Sequence, residues 1–308
     1  MARAGFVCAL LAATALGLTG CGNSEGSRGE GPVRVVCTTG MVADLVRQVG
    51  GDHVAVTTLM GEGVDPHLYK PTPGDIDTLS RADVIFYSGR NLEGKMGEVF
   101  ARMARKKPTL AVADAIADEH LLDGDGGHHD PHLWFDVALW SKTLEPIRAE
   151  LAKLDPANAA TFEANAATYR ERLLALDTWA RNELGTVPKA RRVLVTAHDA
   201  FRYFGRAYDV EVRGIQGIST ESEAGVGSVN DLVAFLKDRR VKAVFVESSV
   251  SEKNIQAVIE GCARGSNPLT VAVGGELFSD AMGAADTPEG TYEGMVRHNV
   301  RTIVEALR

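Results

Sequence analysis

The hydrophobic positions of this chain change period along its length. From Val33, short β-rich runs alternate with helical spacing: Val33 to Thr38, then Met41 to Val49 at helical spacing, then Val54 to Leu59, with further runs at Val84 to Ser88 and Leu110 to Val112. Alternation of this kind predicts a parallel sheet covered by helices, with ligand loops at the carboxyl ends of the strands. Asp155-Pro156 then supplies an N-cap aspartate and a proline at the first helical position. Phe162, Ala166, Tyr169, Leu173, Leu176 and Ala180 follow at spacings of four and three, with no Gly or Pro before Gly185, which predicts one continuous amphipathic helix. At 1.5 Å per residue, roughly thirty residues span about 45 Å, more than one small domain needs. A rigid spine between two lobes fits that length; the other arrangement is a long helix laid along a single domain. The alternation resumes with Arg192 to Thr196, Val210 to Ile215, a helix over Val229 to Arg239, a strand over Ala243 to Val246, a helix over Glu252 to Ala263 and a strand over Leu269 to Val273. A loop from Gly274 to Ser279 and a last helix from about Thr291 to Leu307 complete the chain. The reading is α/β: lobes at 33–154 and 186–308 with mainly parallel sheets, joined by a linking helix at 155–185.

The beginning of the chain is different. Arg3 is followed by an almost unbroken apolar run from Phe6 to Leu18, too short to span a membrane and suited to a signal peptide over residues 1–20. Leu18-Thr19-Gly20-Cys21 resembles the lipobox of bacterial lipoproteins, which implies that Cys21 is lipid-modified and becomes the mature N-terminus. The stretch up to Pro32 is rich in Gly, Ser and Glu, with no large apolar residue, and reads as a flexible tether at 21–32. Of the remaining cysteines, Cys37 falls in a predicted strand and Cys262 late in a predicted helix, so both are expected as buried free thiols rather than a disulfide framework. The 308 residues carry a formal charge of −8, or −9 once Arg3 leaves with the leader, and no basic stripe that would suit nucleic acid.

The candidate chemistry lies in the expected loops. Asp-Pro-His occurs twice, at Asp65-Pro66-His67 and Asp130-Pro131-His132. Proline restricts the backbone before each histidine and keeps the preceding aspartate extended, so each imidazole is presented from a stiff loop. His198 follows directly on the strand ending at Thr196, and Asp280 follows the last strand and its loop. Together His67, His132, His198 and Asp280 offer three imidazoles and a carboxylate.

Five stretches carry a resemblance: Asp65-Pro66-His67-Leu68-Tyr69, Asp130 to Asp136 (DPHLWFD), Val195 to Phe201 (VTAHDAF), Phe245-Val246-Glu247-Ser248-Ser249, and Gly275 to Asp280 (GELFSD). In this order they resemble the TroA-like zinc and manganese-binding lipoproteins of bacterial ABC importers, over essentially the whole mature chain. The resemblance implies two (β/α) lobes, a metal between them held by His67, His132, His198 and Asp280, and Asp65 as a further oxygen ligand in some members. Three imidazoles with one carboxylate suit Zn2+, whereas Mn2+ prefers more oxygen donors; manganese-preferring relatives often carry a carboxylate at the position of His198. If Asp280 bound through both oxygens and Asp65 joined, a five-coordinate site would hold manganese. Glu247, at the end of a strand, is a candidate either to orient a ligand histidine or to make a helix-capping or inter-loop hydrogen bond; Asp130 is expected to support its loop, and Trp134 and Phe135 to wall the cleft. His128 and His129 sit where zinc-binding relatives have a longer histidine-rich loop, but two histidines are too few for that role.

The function these features imply is capture of a divalent metal outside the membrane and its delivery to an ABC permease and, through it, an ATPase, by a monomer tied to the membrane through its lipid. The competing readings are a secreted zinc-dependent hydrolase, which needs an open coordination position and a general base and would here lack any His-Glu-x-x-His, and a surface adhesin stabilised by its metal.

Overall fold

Eight strands and ten α-helices carry the chain among the described residues of the computed structural model, which are 1–2, 31–265 and 267–308. The leader from Arg3 onward, Cys21 and the tether as far as Glu30 lie outside them. Residues Pro32–Arg308 form one compact unit. In order, it begins with β1 (Val33–Cys37), α1 (Gly40–Gly50), β2 (Val54–Thr58), α2 (Pro73–Arg81), β3 (Val84–Tyr87), α3 (Gly97–Ala104) and β4 (Thr109–Ala111). The short α4 (Val137–Trp140), α5 (Leu144–Leu154) and the long α6 (Ala159–Gly185) follow. The second half contains β5 (Val193–Thr196), α7 (Arg202–Tyr208), β6 (Glu211–Gly214), α8 (Val226–Arg239), β7 (Ala243–Glu247), α9 (Lys253–Ala263), β8 (Ala272–Leu277) and α10 (Tyr292–Leu307).

Every strand pairing is parallel. The first lobe has a four-stranded sheet in the order β2-β1-β3-β4, and the second has two pairs, β5 with β6 and β7 with β8, with β5 lying beside β7. Side chains alternate between faces along a strand, and in β3, β5 and β7 both faces are covered, which is why these segments read as unbroken apolar runs. On β7, Ala243 and Phe245 enter the large core while Val244 and Val246 enter a second cluster with Val193, Val195, Ile255 and Val258. The large core crosses the whole unit, from Val33 and Val35 of β1 through α1 and α6 to Phe245 and to Val300 and Ile303 of α10.

Helix α6 is the spine that the spacing predicts. Its 27 residues span about 40 Å, and Phe162, Ala166, Tyr169, Leu173, Leu176 and Ala180 are all buried on one side. It is fastened along the first part of that stripe. The Tyr169 hydroxyl donates to Asp44 of α1 at 2.6 Å and Asn165 donates to the Val49 carbonyl at 3.0 Å, while Arg172 pairs with Glu293 of α10 at 2.6 Å. The N-terminus differs from the expected cap. Residues Pro156–Asn158 make a 3-10 turn before α6, and the Asp155 carboxylate accepts from the Asn158 side chain at 2.8 Å.

The last strand also departs from expectation. Leu269 and Val271 are buried, but β8 starts at Ala272 and runs through Gly274 and Gly275, which the sequence marks as loop. Helix α10 lies directly on this part of the strand. A Cβ at Gly275 would stand 2.4 Å from the Thr302 methyl, and one at Gly274 would stand 2.8 Å from Ala306. Hydrophobic periodicity cannot register a strand whose fit depends on missing side chains. The ladder with β7 shifts register between Val244 and Phe245 at the same place. Helix α8 begins at Val226, three residues before the predicted start. Cys37 and Cys262 are both buried and free, as their positions predict.

Candidate metal centre

All four candidate donors are brought together. His67, His132, His198 and Asp280 each present one atom, these atoms lie within 4.8 Å of one another, and all four residues are buried. His67 and His132 stand in loops following the first lobe's strands, His198 follows β5, and Asp280 follows β8. His198 reaches the site because Gly214, at the end of β6, permits the chain to turn against it; a Cβ there would stand 2.5 Å from the Asp199 nitrogen. The Thr196 hydroxyl closes this turn by donating to the His198 carbonyl at 2.8 Å.

The imidazoles converge through one nitrogen each. The Nε2 atoms of His67 and His132 are 3.3 Å apart, and those of His67, His132 and His198 lie 3.6, 3.4 and 3.3 Å from Asp280 oxygens. Zinc bonds of about 2.0–2.2 Å in a tetrahedron set donor–donor edges of about 3.3–3.6 Å, and these four separations fall in that range. Both oxygens of Asp280 and Nε2 of His198 are buried without a hydrogen-bond partner. Such groups are rare in folded proteins because their desolvation is uncompensated, and a cation is the partner this geometry suits.

The other nitrogen orients the ring. Glu247 is doubly engaged, accepting from the His198 backbone N–H at 2.9 Å and facing Nδ1 of His198 at 2.6 Å. Asp130 does the same for His132, accepting from its backbone N–H at 3.0 Å and facing Nδ1 at 2.8 Å. In the neutral form of either ring the proton is therefore held on Nδ1, which turns the Nε2 lone pair toward the centre. Glu247 thus engages His198 from the side opposite its convergent nitrogen. Asp130, expected only to support its loop, is the equivalent partner of His132, a role hinted at by the Asp-Pro-His repeat itself. The first copy differs: Asp65 accepts from the His67 backbone N–H at 2.8 Å with one oxygen and from the Thr220 hydroxyl at 2.5 Å with the other, and it is not among the four convergent groups.

Burial pushes His67 down to about 4, outweighing the attraction of Asp280. Burial also disfavours a charged His132, but its hydrogen bond to Asp130 and the nearby charges of Asp130 and Asp280 overcome it and raise the ring to about 9. His198 is driven well above its usual range because Glu247 and Asp280 together outweigh its desolvation. Asp280, which burial alone would raise, is held well below the carboxylate range by His198 and His132. Without metal, then, the surroundings of His132 and His198 favour their protonated forms and those of Asp280 its ionised form.

Aromatic side chains seal one flank. Trp134 is fully buried with its ring 5.2 Å from that of His132, and its indole N–H donates to the Ser279 carbonyl at 3.0 Å, bridging the lobes beside Asp280. Phe135 stacks on Phe201 at 4.2 Å. On the other flank a cavity of about 50 Å³ opens beside His67, lined among others by Arg90, Asn91, His128, His129 and Ser219. His53 and His298 lie away from the centre, packed edge-on against Phe162 and Phe278.

The chain from residue 35 to 306 matches the model of a family described as zinc-uptake complex component A, periplasmic. It is 49% identical to the manganese-binding lipoprotein MntA of Bacillus subtilis, over 99% of this chain and 100% of that protein. It is 45% identical to the zinc-binding protein TroA of Treponema pallidum, over 97% of each chain. The solved structure of the periplasmic zinc-binding protein TroA from Treponema pallidum superimposes with a TM-score of 0.87 at 47% identity, covering 90% of this chain and 99% of that one. Architecture, donor set and sequence lead to one family, and this chain belongs to it: the periplasmic component A of zinc-uptake complexes, whose members are metal-binding proteins of ABC transporters.

Proposed function

We propose that this protein captures one divalent transition metal ion outside the membrane, zinc in preference with manganese as the alternative, and hands it to the permease of an ABC importer. The observation that carries the reading is the set of four buried donors with unpartnered lone pairs on His198 and Asp280. The ion is cargo, held by Nε2 of His67, His132 and His198 and by the Asp280 carboxylate. Both Asp280 oxygens face the imidazoles, so the carboxylate can bind through one or two of them. The chain acts as a monomer with lobes at 33–154 and 186–308 and a linking helix at 155–185. Lipid on Cys21 ties it to the outer face of the membrane, and the permease's ATPase drives uptake. Equilibrium dialysis should show one zinc per chain, displaced by manganese only in large excess; a stoichiometry other than one would overturn the reading.

A hydrolase is disfavoured by the same geometry. Both Glu247 oxygens are engaged by His198, and Asp130 gives Oδ1 to the backbone N–H and Nδ1 of His132 while its Oδ2 lies 3.5 Å from Arg202, so each carboxylate serves an imidazole rather than standing as a general base. Their commitment sets a further expectation. Glu247→Gln should weaken zinc binding about 10–100-fold, since an amide can no longer enforce the Nδ1–H tautomer of His198 with a full charge. Calorimetric titration with a competing chelator would measure it, and an unchanged affinity would remove Glu247 from the site.

The spine bears on how the ion is released. One apolar core runs through both lobes, and α6 is tied to α1 and α10 at once, so metal binding should produce a small tilt rather than a wide hinge closure. Small-angle scattering with and without zinc should give nearly the same radius of gyration; a large compaction would contradict it.

A further inference from the structure

We infer that Thr220 sets the metal preference of the centre by withholding Asp65 from it. This rests on the metal-binding reading above and extends it to a residue outside the donor set. Thr220 lies in the loop between β6 and α8, in the second lobe, while Asp65 precedes His67 in the first. The loop is held across the cleft at two points. The buried Thr220 hydroxyl donates to Asp65 Oδ2 at 2.5 Å, and Glu221 pairs with Lys95 at 3.3 Å. Gln216 braces the loop from within, donating to the Ser222 carbonyl at 3.0 Å.

The consequence concerns lone pairs. Oδ1 of Asp65 accepts from the His67 backbone N–H at 2.8 Å and Oδ2 accepts from Thr220, so each oxygen is engaged with a donor of the protein. Asp65 nevertheless sits two residues from a donor histidine and near the ionised Asp280, whose charge it feels. If Oδ2 were released, a modest rotation would offer the ion another oxygen. Zinc is content with three imidazoles and one carboxylate, whereas manganese prefers more oxygen ligands and a higher coordination number. A hydroxyl donated from the opposite lobe therefore keeps the donor set rich in nitrogen and the preference toward zinc. Thr220 is in this sense a positioning residue, acting through Asp65.

Competitive titration of the purified protein with zinc and manganese tests this. Thr220→Val keeps the shape but removes the donor; the ratio of zinc to manganese affinity should fall by about tenfold, chiefly through tighter manganese binding. Thr220→Ser, which retains the hydroxyl, should leave the ratio unchanged. Adding Asp65→Asn to Thr220→Val should restore the original ratio, because an uncharged amide is a poor substitute for the released carboxylate. Cobalt(II) gives an independent readout: its visible absorption, intense in four-coordinate sites, should weaken in Thr220→Val alone. An unchanged ratio in Thr220→Val, equal shifts in the Val and Ser variants, or a shift that survives Asp65→Asn would each overturn the inference. Failure of the unaltered protein to bind either metal would instead overturn the metal-binding reading, and this inference with it.

Discussion

Replacing His67 and His198 together by alanine is expected to abolish stoichiometric zinc binding, with affinity falling by at least about 1,000-fold. Each residue supplies one of four donors, and they come from opposite lobes, so the pair removes one contact from either side of the cleft. Two donors cannot satisfy a tetrahedral ion, and the remaining His132 and Asp280 would have to share it with water in a buried space. The loss of His198 also removes the Nδ1 partner of Glu247, so circular dichroism and thermal unfolding should accompany the titration. Asp280→Asn is the milder companion. It preserves shape but removes the charge, and it should weaken zinc strongly while leaving the fold intact. If the double alanine variant bound one zinc with unaltered affinity, the assignment of the centre would be wrong.

The second large effect is on pH. In the metal-free protein Asp130 and Asp280 push His132 up to about 9 and His198 is raised well above its usual range, whereas burial pushes His67 down to about 4 and Asp280 is held well below the carboxylate range. Zinc needs all three imidazoles neutral, so at neutral pH its entry expels the protons of His132 and His198. A dication replaces two protons, and the net charge buried between the lobes does not change. Where both rings carry their protons, two released per ion make apparent affinity rise about 100-fold per pH unit, and fall by the same factor on acidification. The stability of the metal-free protein carries the opposite sign for His132. Its folded pKa lies above its unfolded value of about 6.5, so that contribution is present below pH 6.5 and is lost as pH rises toward 9. Calorimetry in buffers of different ionisation enthalpy should count about two protons at pH 7; a count near zero would refute the stored-proton description.

Much of the centre was legible because its residues sit where backbone rules are strict. Proline next to histidine, and a histidine close after a buried strand, mark positions without knowledge of tertiary contacts, and the three convergent histidines come from such positions, while Asp280 is marked only by its place after the last strand and its loop. Glu247 was equally visible, as a carboxylate ending an apolar strand. The partners that depend on approach between distant segments were not. Thr220 lies 155 residues from Asp65, and nothing in its own Ser-Thr-Glu-Ser surroundings distinguishes it from any polar loop residue. Asp130 was visible as a residue, but its bond to the imidazole Nδ1 depends on a ring orientation that a sequence does not specify.

The same division holds for the fold. Alternating apolar runs and the four-and-three stripe from Phe162 to Ala180 determined by themselves a parallel α/β architecture with a long spine, because burial of both sheet faces and of one helix face is written in the side chains. What only tertiary structure decided is where elements touch through what is absent or shared: the Gly274-Gly275 stretch that became strand under α10, the single core fusing both lobes, and the two unlike fates of Asp65 and Asp130. Periodicity reports which faces are buried. It does not report against what, and in this protein the identity of the neighbour separates an aspartate that orients a metal ligand from one that is held away.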